Sequence, residues 1–360
     1  MTTVAREHVL QPGAGPVRGA AYLPSTPDHV LWGRLPCATD APVLSVAPGT
    51  EVTFDTISHE GILEDQGRDP KAFFGAYDVP GVLDDAVALA ASDDPHTFGV
   101  DGPHVVSRPV RVEGARPGDL LAMTVVETLP RVPYGVISNR HGKGALPGEY
   151  PLAGDVFSAF ASVDAAGTHG QLPLVEGGER VVEFPLAPFL GIMGVAVAGD
   201  QRPHSVPPGP HGGNIDINLL TVGATLYLPV QVEGALAYVG DPHFAQGDGE
   251  VSLTAMEASL RATVRLDVVP HEDAVRRFGE LAGPLAETTD FLVPTGMDED
   301  LDVAVQNCVR AAIALLGARY GMDPRLAYAY LSAATDFDIS QVVDVVKGVH
   351  ARIRTSDFPA

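Results

Sequence analysis

Glycine and proline are spread through the whole of this 360-residue chain and restrict it to short regular segments. There are 39 glycines and 31 prolines. Proline removes a backbone donor and glycine weakens the interior of helices and strands, so both interrupt regular structure. Hydrophobic residues make up 45% of the chain, which is enough to build a core and argues against disorder. The pattern predicts many short strands joined by tight turns.

The chain is strongly acidic, with a formal net charge of −23 and a pI near 4.7. An acidic surface repels phosphate backbones and anionic lipids, so we expect neither nucleic acid nor a membrane as a partner. The N-terminus lacks the order of a signal peptide, and no uninterrupted apolar run of 18 residues is present. Two cysteines do not make a disulfide framework. We therefore expect a cytoplasmic protein.

The periodicity of apolar residues assigns several elements. Residues 49–56 alternate between polar and apolar, as in a half-buried strand, and 81–92 read as a helix. Residues 130–155 are rich in glycine and proline and predict an irregular excursion. Near the C-terminus, one helix is predicted from the acidic start at 298 and another from the Asp-Pro pair at 323.

These elements predict an α+β fold that is mainly β, built on sandwich or barrel elements, with helices concentrated near the C-terminus. We divide the chain into an N-terminal β-rich portion (1–200), a β segment with the candidate site loops (201–270) and a C-terminal helical α/β portion (271–360). The three portions are expected to form one intertwined unit.

Two polar, glycine-lined loops around an apolar strand are the best candidates for a site, because glycine lets a backbone approach a ligand closely. In an extended strand, Asp241 and His243 share one face, as do Asp248 and Glu250. Together with His211, Asn214 and Asp216 of the preceding loop, they offer ligands for a divalent metal and a carboxylate for general-base catalysis. Ordinary turn chemistry is the alternative for the Gly-Asp-Gly-Glu run. His59, in a polar stretch directly after a strand, is a further candidate.

Several hydrolase mechanisms lack their sequence signature. The chain has no Gly-x-Ser-x-Gly elbow, no Walker loop, no paired Cys-x-x-Cys and no His-Glu-x-x-His. None of its three lysines lies in a glycine- and serine-rich tract. Cys308 falls inside a predicted helix, and Cys37 has no charged neighbours in sequence. Serine-elbow, Ser-Ser-Lys and nitrilase-like Cys mechanisms are therefore unsupported, and no organic cofactor is expected.

Six collinear motifs resemble the acetamidase/formamidase family and span about residues 50–350. The longest is GDPHFAQGDGEV at 240–251, preceded by PGPHGGNID at 208–216 and TLYLPV at 225–230 and followed by DISQVVDVVKGV at 338–349; FDTISHEG at 54–61 and VEGARPGDLL at 112–121 agree as well. The resemblance implies a jelly-roll-like β-sandwich, a second β portion and a smaller α/β part. It also implies a homo-oligomer that hydrolyses short amides such as formamide or acetamide, and a divalent metal such as zinc or calcium.

Combining the resemblance with the residues gives a working mechanism. Asp241, His243 and His59 would hold a metal that polarises the carbonyl of a small neutral amide. The catalytic set, which would transfer protons, consists of Glu250, Asp216, Asn214 and Asp248. The contacts to the substrate and to the oxyanion would come from a glycine-lined loop with Gly212, Gly213 and His211.

Two alternatives remain open. The first is another C–N hydrolase, acting on a lactam or a urea-like group. The second is a non-catalytic β-sandwich binding protein that kept the fold. Ammonia release from short linear amides separates an amidase from a lactam hydrolase, because opening a lactam frees no ammonia, and from a binding protein, which turns over no amide.

Overall fold

Two β-sheets and a layer of helices make up the fold in the computed structural model, which describes residues 9–79, 81–93 and 95–358. The strands are β1 Ala21–Leu23, β2 Val30–Trp32, β3 Leu44–Val46, β4 Thr50–Asp55, β5 Val105–Ser107, β6 Val110–Val112, β7 Leu120–Pro130, β8 Tyr134–Arg140, β9 Val156–Val163, β10 His169–Pro173, β11 Val181–Pro185, β12 Phe189–Val195, β13 Gly212–Asn214, β14 Thr225–Pro229, β15 Ala237–Ala245, β16 Met256–Glu257, β17 Leu260–Val269, β18 Leu285–Glu287, β19 Phe291–Asp298, β20 Asp336–Gln341 and β21 Lys347–Arg354. The helices are α1 Pro70–Gly75, α2 Asp84–Ala90, α3 His271–Phe278, α4 Leu301–Tyr320 and α5 Pro324–Ala334.

The first sheet has nine strands in the order β1-β4-β17-β7-β14-β18-β19-β21-β20. The second has twelve, of which eight follow the path β11-β10-β9-β8-β16-β15-β12-β13 while β2, β3, β5 and β6 pair off it. The largest core cluster combines apolar side chains of β4, β7 and β17 with those of β12 and β15. The two sheets therefore pack face to face as a sandwich. The first sheet takes strands from each of the three portions of the chain.

Strand β7 shows why the first sheet is apolar on both faces. Leu121, Met123 and Val125 belong to the core between the sheets. Leu120 and Ala122 point the other way, into a cluster with side chains of α3, α4 and α5. Because successive side chains of a strand alternate between faces, a strand covered on both sides reads as a continuous apolar run. The helices thus form a third layer over the sandwich.

Helix α4 is the one helix in the described ranges that is long and apolar enough to cross a membrane, with a mean hydropathy of 1.4. Its buried residues, among them Ala304, Cys308 and Leu315, instead pack on the first sheet and the neighbouring helices. Gly296 of β19 permits close packing, because a Cβ there would lie 2.2 Å from the backbone nitrogen of Cys308. We therefore treat α4 as a core helix.

The mainly β, α+β fold class is confirmed, and so are most of the predicted elements. Strand β4 and helices α2, α4 and α5 lie where the sequence placed them, and α4 and α5 begin at capping residues Asp300 and Asp323, whose carboxylates accept backbone N–H groups of the first turn. The prediction of an irregular segment at 130–155 was wrong in part. Residues 134–140 form β8, which pairs along its whole length with β9, a partner that the local composition does not reveal.

A buried ion pair joins the N-terminal segment to the sandwich. The Arg261 side chain, on β17, is fully buried and donates Nε to Asp55 Oδ1 (2.6 Å) and Nη2 to Oδ2 (2.9 Å). Its Nη1 donates to the backbone carbonyls of Ala14 and Pro16. Each charge of the pair therefore has a partner, as buried charges require. The bonds from Arg261 to Ala14 and Pro16 hold the N-terminal segment against the strands.

Replacing Arg261 with alanine should destabilise the protein by about 3–5 kcal/mol, because Asp55 would stay buried without its two charge-assisted hydrogen bonds, and Arg131 Nη2, 3.7 Å from its Oδ2, lies too far away to replace them. The midpoint of denaturant unfolding measures this loss. The exposed Arg325 is the matched control, since its side chain is 92% exposed, and Arg325→Ala should change stability by less than about 0.5 kcal/mol. Equal effects of the two variants would contradict this assignment.

Candidate active site

A cluster of buried histidines and carboxylates lies around strands β15 and β16, in the interior of the second sheet. Its members come from six separate stretches of chain. They are His59, His104, Asn214, Asp216, Asp241, His243, Glu250, Glu257 and Asp344, and eight of them are less than 9% exposed. Ionised groups are rarely buried unless they are paired or hold a metal. This concentration therefore identifies the candidate active site.

The centre of the cluster is the contact between β15 and β16. His243 Nε2 lies 3.0 Å from Asp241 Oδ2 and 3.1 Å from Glu257 Oε1. Strand β12 runs alongside, and its Gly191 leaves the necessary space. A Cβ on Gly191 would lie 2.5 Å from Asp216 Oδ1 and 2.6 Å from Asp241 Oδ2. Only glycine fits at that position beneath the carboxylates.

Two further histidines approach Asp241 from the N-terminal half of the chain. His59 Nδ1 is 3.8 Å and His104 Nε2 is 3.9 Å from Asp241 Oδ1, and the two rings meet edge to face. His59 lies in the loop after β4, and His104 directly precedes β5. The other nitrogen of His104 contacts the Ser205 hydroxyl at 3.0 Å, which orients the ring.

The loops after β13 and β15 and the C-terminal hairpin complete the cluster. Asn214 donates Nδ2 to Asp344 Oδ2 at 2.8 Å, and its carbonyl accepts from Gln341 Nε2. The Gly249 amide donates to the carbonyl of Ser340. These bonds tie the β20–β21 hairpin to the loop that carries Glu250.

Backbone strain is concentrated at this site. Among the described residues, eleven that are not glycine have a positive φ. Six of them line one cavity beside the cluster: His141, Asp241, Glu250, Leu253, Asp344 and Val345. Such conformations cost about 1–3 kcal/mol each and persist only where the surroundings enforce them, which is typical of functional sites.

Proton affinities in the cluster are shifted in both directions. Burial raises the pKa of Glu250 well above its ordinary value, and Asp216 and Asp344 raise it further. Burial opposes ionisation of Asp241 too, but the neighbouring His243 outweighs it and holds the pKa of Asp241 well below the usual range. Burial lowers the pKa of His104 to about 4, so the ring is neutral and keeps a lone pair at neutral pH. Divergent pKa values of this kind are characteristic of catalytic sites.

Many polar atoms of the cluster have no hydrogen-bond partner within the protein. They include His59 Nδ1, Asp241 Oδ1, His243 Nδ1 and Glu250 Oε2. Three sets of side chains bring their ligand atoms within 4.8 Å of one another, namely His59, His104 and Asp241; Asp216, His243 and Glu250; and Asp241, His243 and Glu257. Buried groups without partners are costly. The donor set therefore fits a divalent cation.

A cavity of about 620 Å³ opens onto one side of this cluster. His59, His104 and Asp241 all line it, together with Glu250 and Glu257. Asp216 and His243 lie behind these residues. Of the three candidate ligand sets, the one formed by His59, His104 and Asp241 is thus wholly open to the cavity.

The sequence matches the profile of the acetamidase/formamidase family over residues 78–202 and 197–355. The chain belongs to the acetamidase/formamidase family. Among curated relatives, the acetamidase of Mycolicibacterium smegmatis is 27% identical over 237 residues, which are 51% of this chain and 57% of that protein. The formamidase of Methylophilus methylotrophus is 27% identical over 305 residues, which are 67% of this chain and 74% of that protein. The match thus spans less than two thirds of the first relative's length.

Solved structures agree with the fold. A crystal structure of an acetamidase from Yersinia enterocolitica has a TM-score of 0.74 and 23% identity, and the match covers 99% of this chain and 98% of that one. The resemblance noted in the sequence is therefore confirmed for both family and architecture.

The acetamidase/formamidase motifs supply most of the cluster. Asp241 and His243 of the 240–251 motif and Asp216 of the 208–216 motif meet there, and His59 joins them from the 54–61 motif. Asp241 has a φ of 51°, so the strand is kinked where an extended chain was expected. Glu250 faces the same cavity.

Other residues proposed from the same motifs lie elsewhere. Asp248 is exposed, and its Oδ1 accepts a hydrogen bond from Asn218 Nδ2 at 3.0 Å. The Gly212 amide donates to the carbonyl of Gly209 at 2.9 Å, so it is not free for an oxyanion. His211, Gly212 and Gly213 are buried beside β12, outside the cavity lining. Asn214, by contrast, lines the cavity, and its side-chain amide donates to Asp344.

Sequence reasoning missed His104, Glu257 and Asp344. His104 follows Pro103, a setting typical of a turn. Glu257 and Asp344 each stand alone between apolar neighbours, in Ala-Met-Glu-Ala and Val-Val-Asp-Val-Val. A lone acid inside an apolar run is the signal that could have identified them, because it predicts a buried carboxylate that needs a partner.

Asp344 should make the stability of the metal-free protein depend on pH. Burial, reinforced by Asp241 and Glu257, raises its pKa from 3.8 to about 8. The folded state therefore retains a proton that the unfolded chain loses, and the resulting stability is full below about pH 4 and is lost as the pH rises to about 8. As the pH rises over this range, the melting temperature of the chelator-treated wild type should fall relative to that of Asp344→Asn. A difference in melting temperature between wild type and Asp344→Asn that does not change with pH would contradict the assignment. The same pH-dependent difference between wild type and the exposed control Asp248→Asn would contradict it as well.

Proposed function

We propose that the protein hydrolyses short primary amides, such as formamide and acetamide, to ammonia and a carboxylate with the help of a divalent cation. The observation that carries this proposal is the opening of a 620 Å³ cavity onto His59, His104, Asp241 and Glu250. The family supports the substrate class, since its relatives include proteins named acetamidase and formamidase.

The donor set favours a transition metal such as zinc over calcium. His59 and His104 offer ring nitrogens beside Asp241, whereas calcium takes oxygen ligands. Bound there, a divalent cation would polarise a carbonyl group and lower the pKa of a water molecule. His243 contacts Asp241 at 3.0 Å and would orient its carboxylate, while Glu257 in turn contacts His243 at 3.1 Å.

Glu250 is the carboxylate best placed to transfer protons. It lines the cavity, and its Oε2 has no hydrogen-bond partner. Burial raises its pKa well above the ordinary value, which brings it closer to the range in which a carboxylate exchanges protons efficiently. In our proposal, Glu250 accepts a proton from the water that attacks the carbonyl carbon. It then returns the proton to the nitrogen as the C–N bond breaks, so that ammonia can leave.

Chelation should abolish ammonia release from acetamide, and zinc should restore it at least partly. Metal analysis of the purified protein measures occupancy in parallel. Asp241→Asn should lower the metal content, because the carboxylate belongs to two of the three ligand sets. Full activity after complete metal removal would overturn the metal-assisted part of the proposal.

Glu250→Gln should reduce kcat by a factor of about 10² to 10⁴, the contribution of a general base, while leaving the melting temperature within a few degrees. Asp248→Gln is the matched control, because Asp248 lies two residues away in the same loop but is exposed. Kinetics on acetamide with the cation present measures both variants. A Glu250→Gln protein with wild-type kcat would remove Glu250 from the mechanism.

A substrate panel that adds 2-pyrrolidinone to the linear amides separates the remaining alternatives, with the ring-opened product measured directly because lactam opening frees no ammonia. Ring opening of 2-pyrrolidinone without turnover of linear amides would point to a lactam hydrolase, and no turnover of any amide would point to a binding protein. We further propose a homo-oligomer in the cytoplasm. The two buried cysteines, which are both free, suit a reducing compartment.

A further inference from the structure

The cavity is far larger than a short amide needs. An amide of about four non-hydrogen atoms occupies on the order of 100 Å³, since one water takes about 30 Å³ of liquid volume. The cavity measures about 620 Å³, within the range of about 300–1,000 Å³ that is typical of sites for drug-sized ligands. Most of it therefore lies beyond the atoms that would react.

Five apolar side chains line the cavity, beside charged ones that include Arg140 and Lys143. The apolar five are Leu63, Phe98, Val206, Leu253 and Val345. Phe98 is 48% and Val345 57% exposed, although large apolar side chains are stabilised by burial. An apolar group of a ligand would cover these side chains.

Two of these side chains are held there against backbone preference. Leu253 has a φ of 112° and Val345 a φ of 66°, conformations that favour glycine and that a β-branched residue rarely adopts. Glycine would be the less strained residue at both positions. Their strain is explained if the leucine and valine side chains are needed on the cavity wall.

From these observations, we infer that the preferred substrate is a primary amide whose acyl group carries an apolar tail of roughly the size of a benzyl group. The inference rests on the proposed function, because the reacting amide is placed at the buried carboxylates. The tail would lie against Phe98, Leu253 and Val345, which makes these residues determinants of specificity.

The test compares acetamide, phenylacetamide and the carboxylate-bearing succinamate as substrates of the metal-loaded enzyme. We expect kcat/KM to be at least tenfold higher for phenylacetamide than for acetamide. In Leu253→Gly and Val345→Gly, the ratio of the two kcat/KM values should fall roughly tenfold, the effect of losing one apolar contact. Their melting temperatures should stay the same or rise, because glycine relieves the positive φ.

Ala235→Gly is the matched control, since Ala235 also has a positive φ, of 56°, but lies outside the cavity lining; the substrate ratio should not change. A wild-type preference for acetamide or succinamate, or an unchanged ratio in both glycine variants, would overturn the inference. If no amide releases ammonia, the proposed function fails, and calorimetric titration of phenylacetamide then decides the inference alone. Tighter binding to the wild type than to Leu253→Gly would support it, and equal binding would overturn it.

Discussion

The contact of His243 with Asp241 and Glu257 is the interaction on which the site depends. At 3.0 and 3.1 Å, one imidazole joins two carboxylates in the interior of the protein. Two buried carboxylates repel each other, and each loses its hydration. The surrounding structure compensates with His59 and His104 on the cavity side. The same arrangement leaves ligand atoms without partners, which is what a cation site requires.

The scaffold gives up local stability to hold this arrangement. Gly191 leaves β12 without a side chain beneath the carboxylates, and positive φ values at Asp241, Glu250 and Asp344 strain the backbone around them. The sandwich core, the helix layer and the buried Arg261–Asp55 pair lie outside the cluster. A rigid framework of this kind can support strain at a site without unfolding.

Local signals predicted the elements that depend on local physics. The caps of α4 and α5 and the alternation of β4 are short-range features, and the structure has these elements at the expected places. Strand β8 was missed because its stability comes from pairing with β9 across a long loop, and sheet pairing depends on the partner more than on the strand itself.

The sequence by itself determined the family, the fold class and six of the nine residues of the cluster. Asp241 and His243 are close in the chain, so spacing alone brings them together. Tertiary structure decided the rest, because His104, Glu257 and Asp344 come from distant segments whose approach depends on strand register and on the docking of the C-terminal hairpin. Tertiary structure also decided which side chains of the predicted loop face the cavity. Glu250, which has a positive φ, lines the cavity, whereas Asp248, two residues earlier, is exposed to solvent. Side-chain direction at a strained backbone is a property of the packed molecule, and periodicity does not encode it.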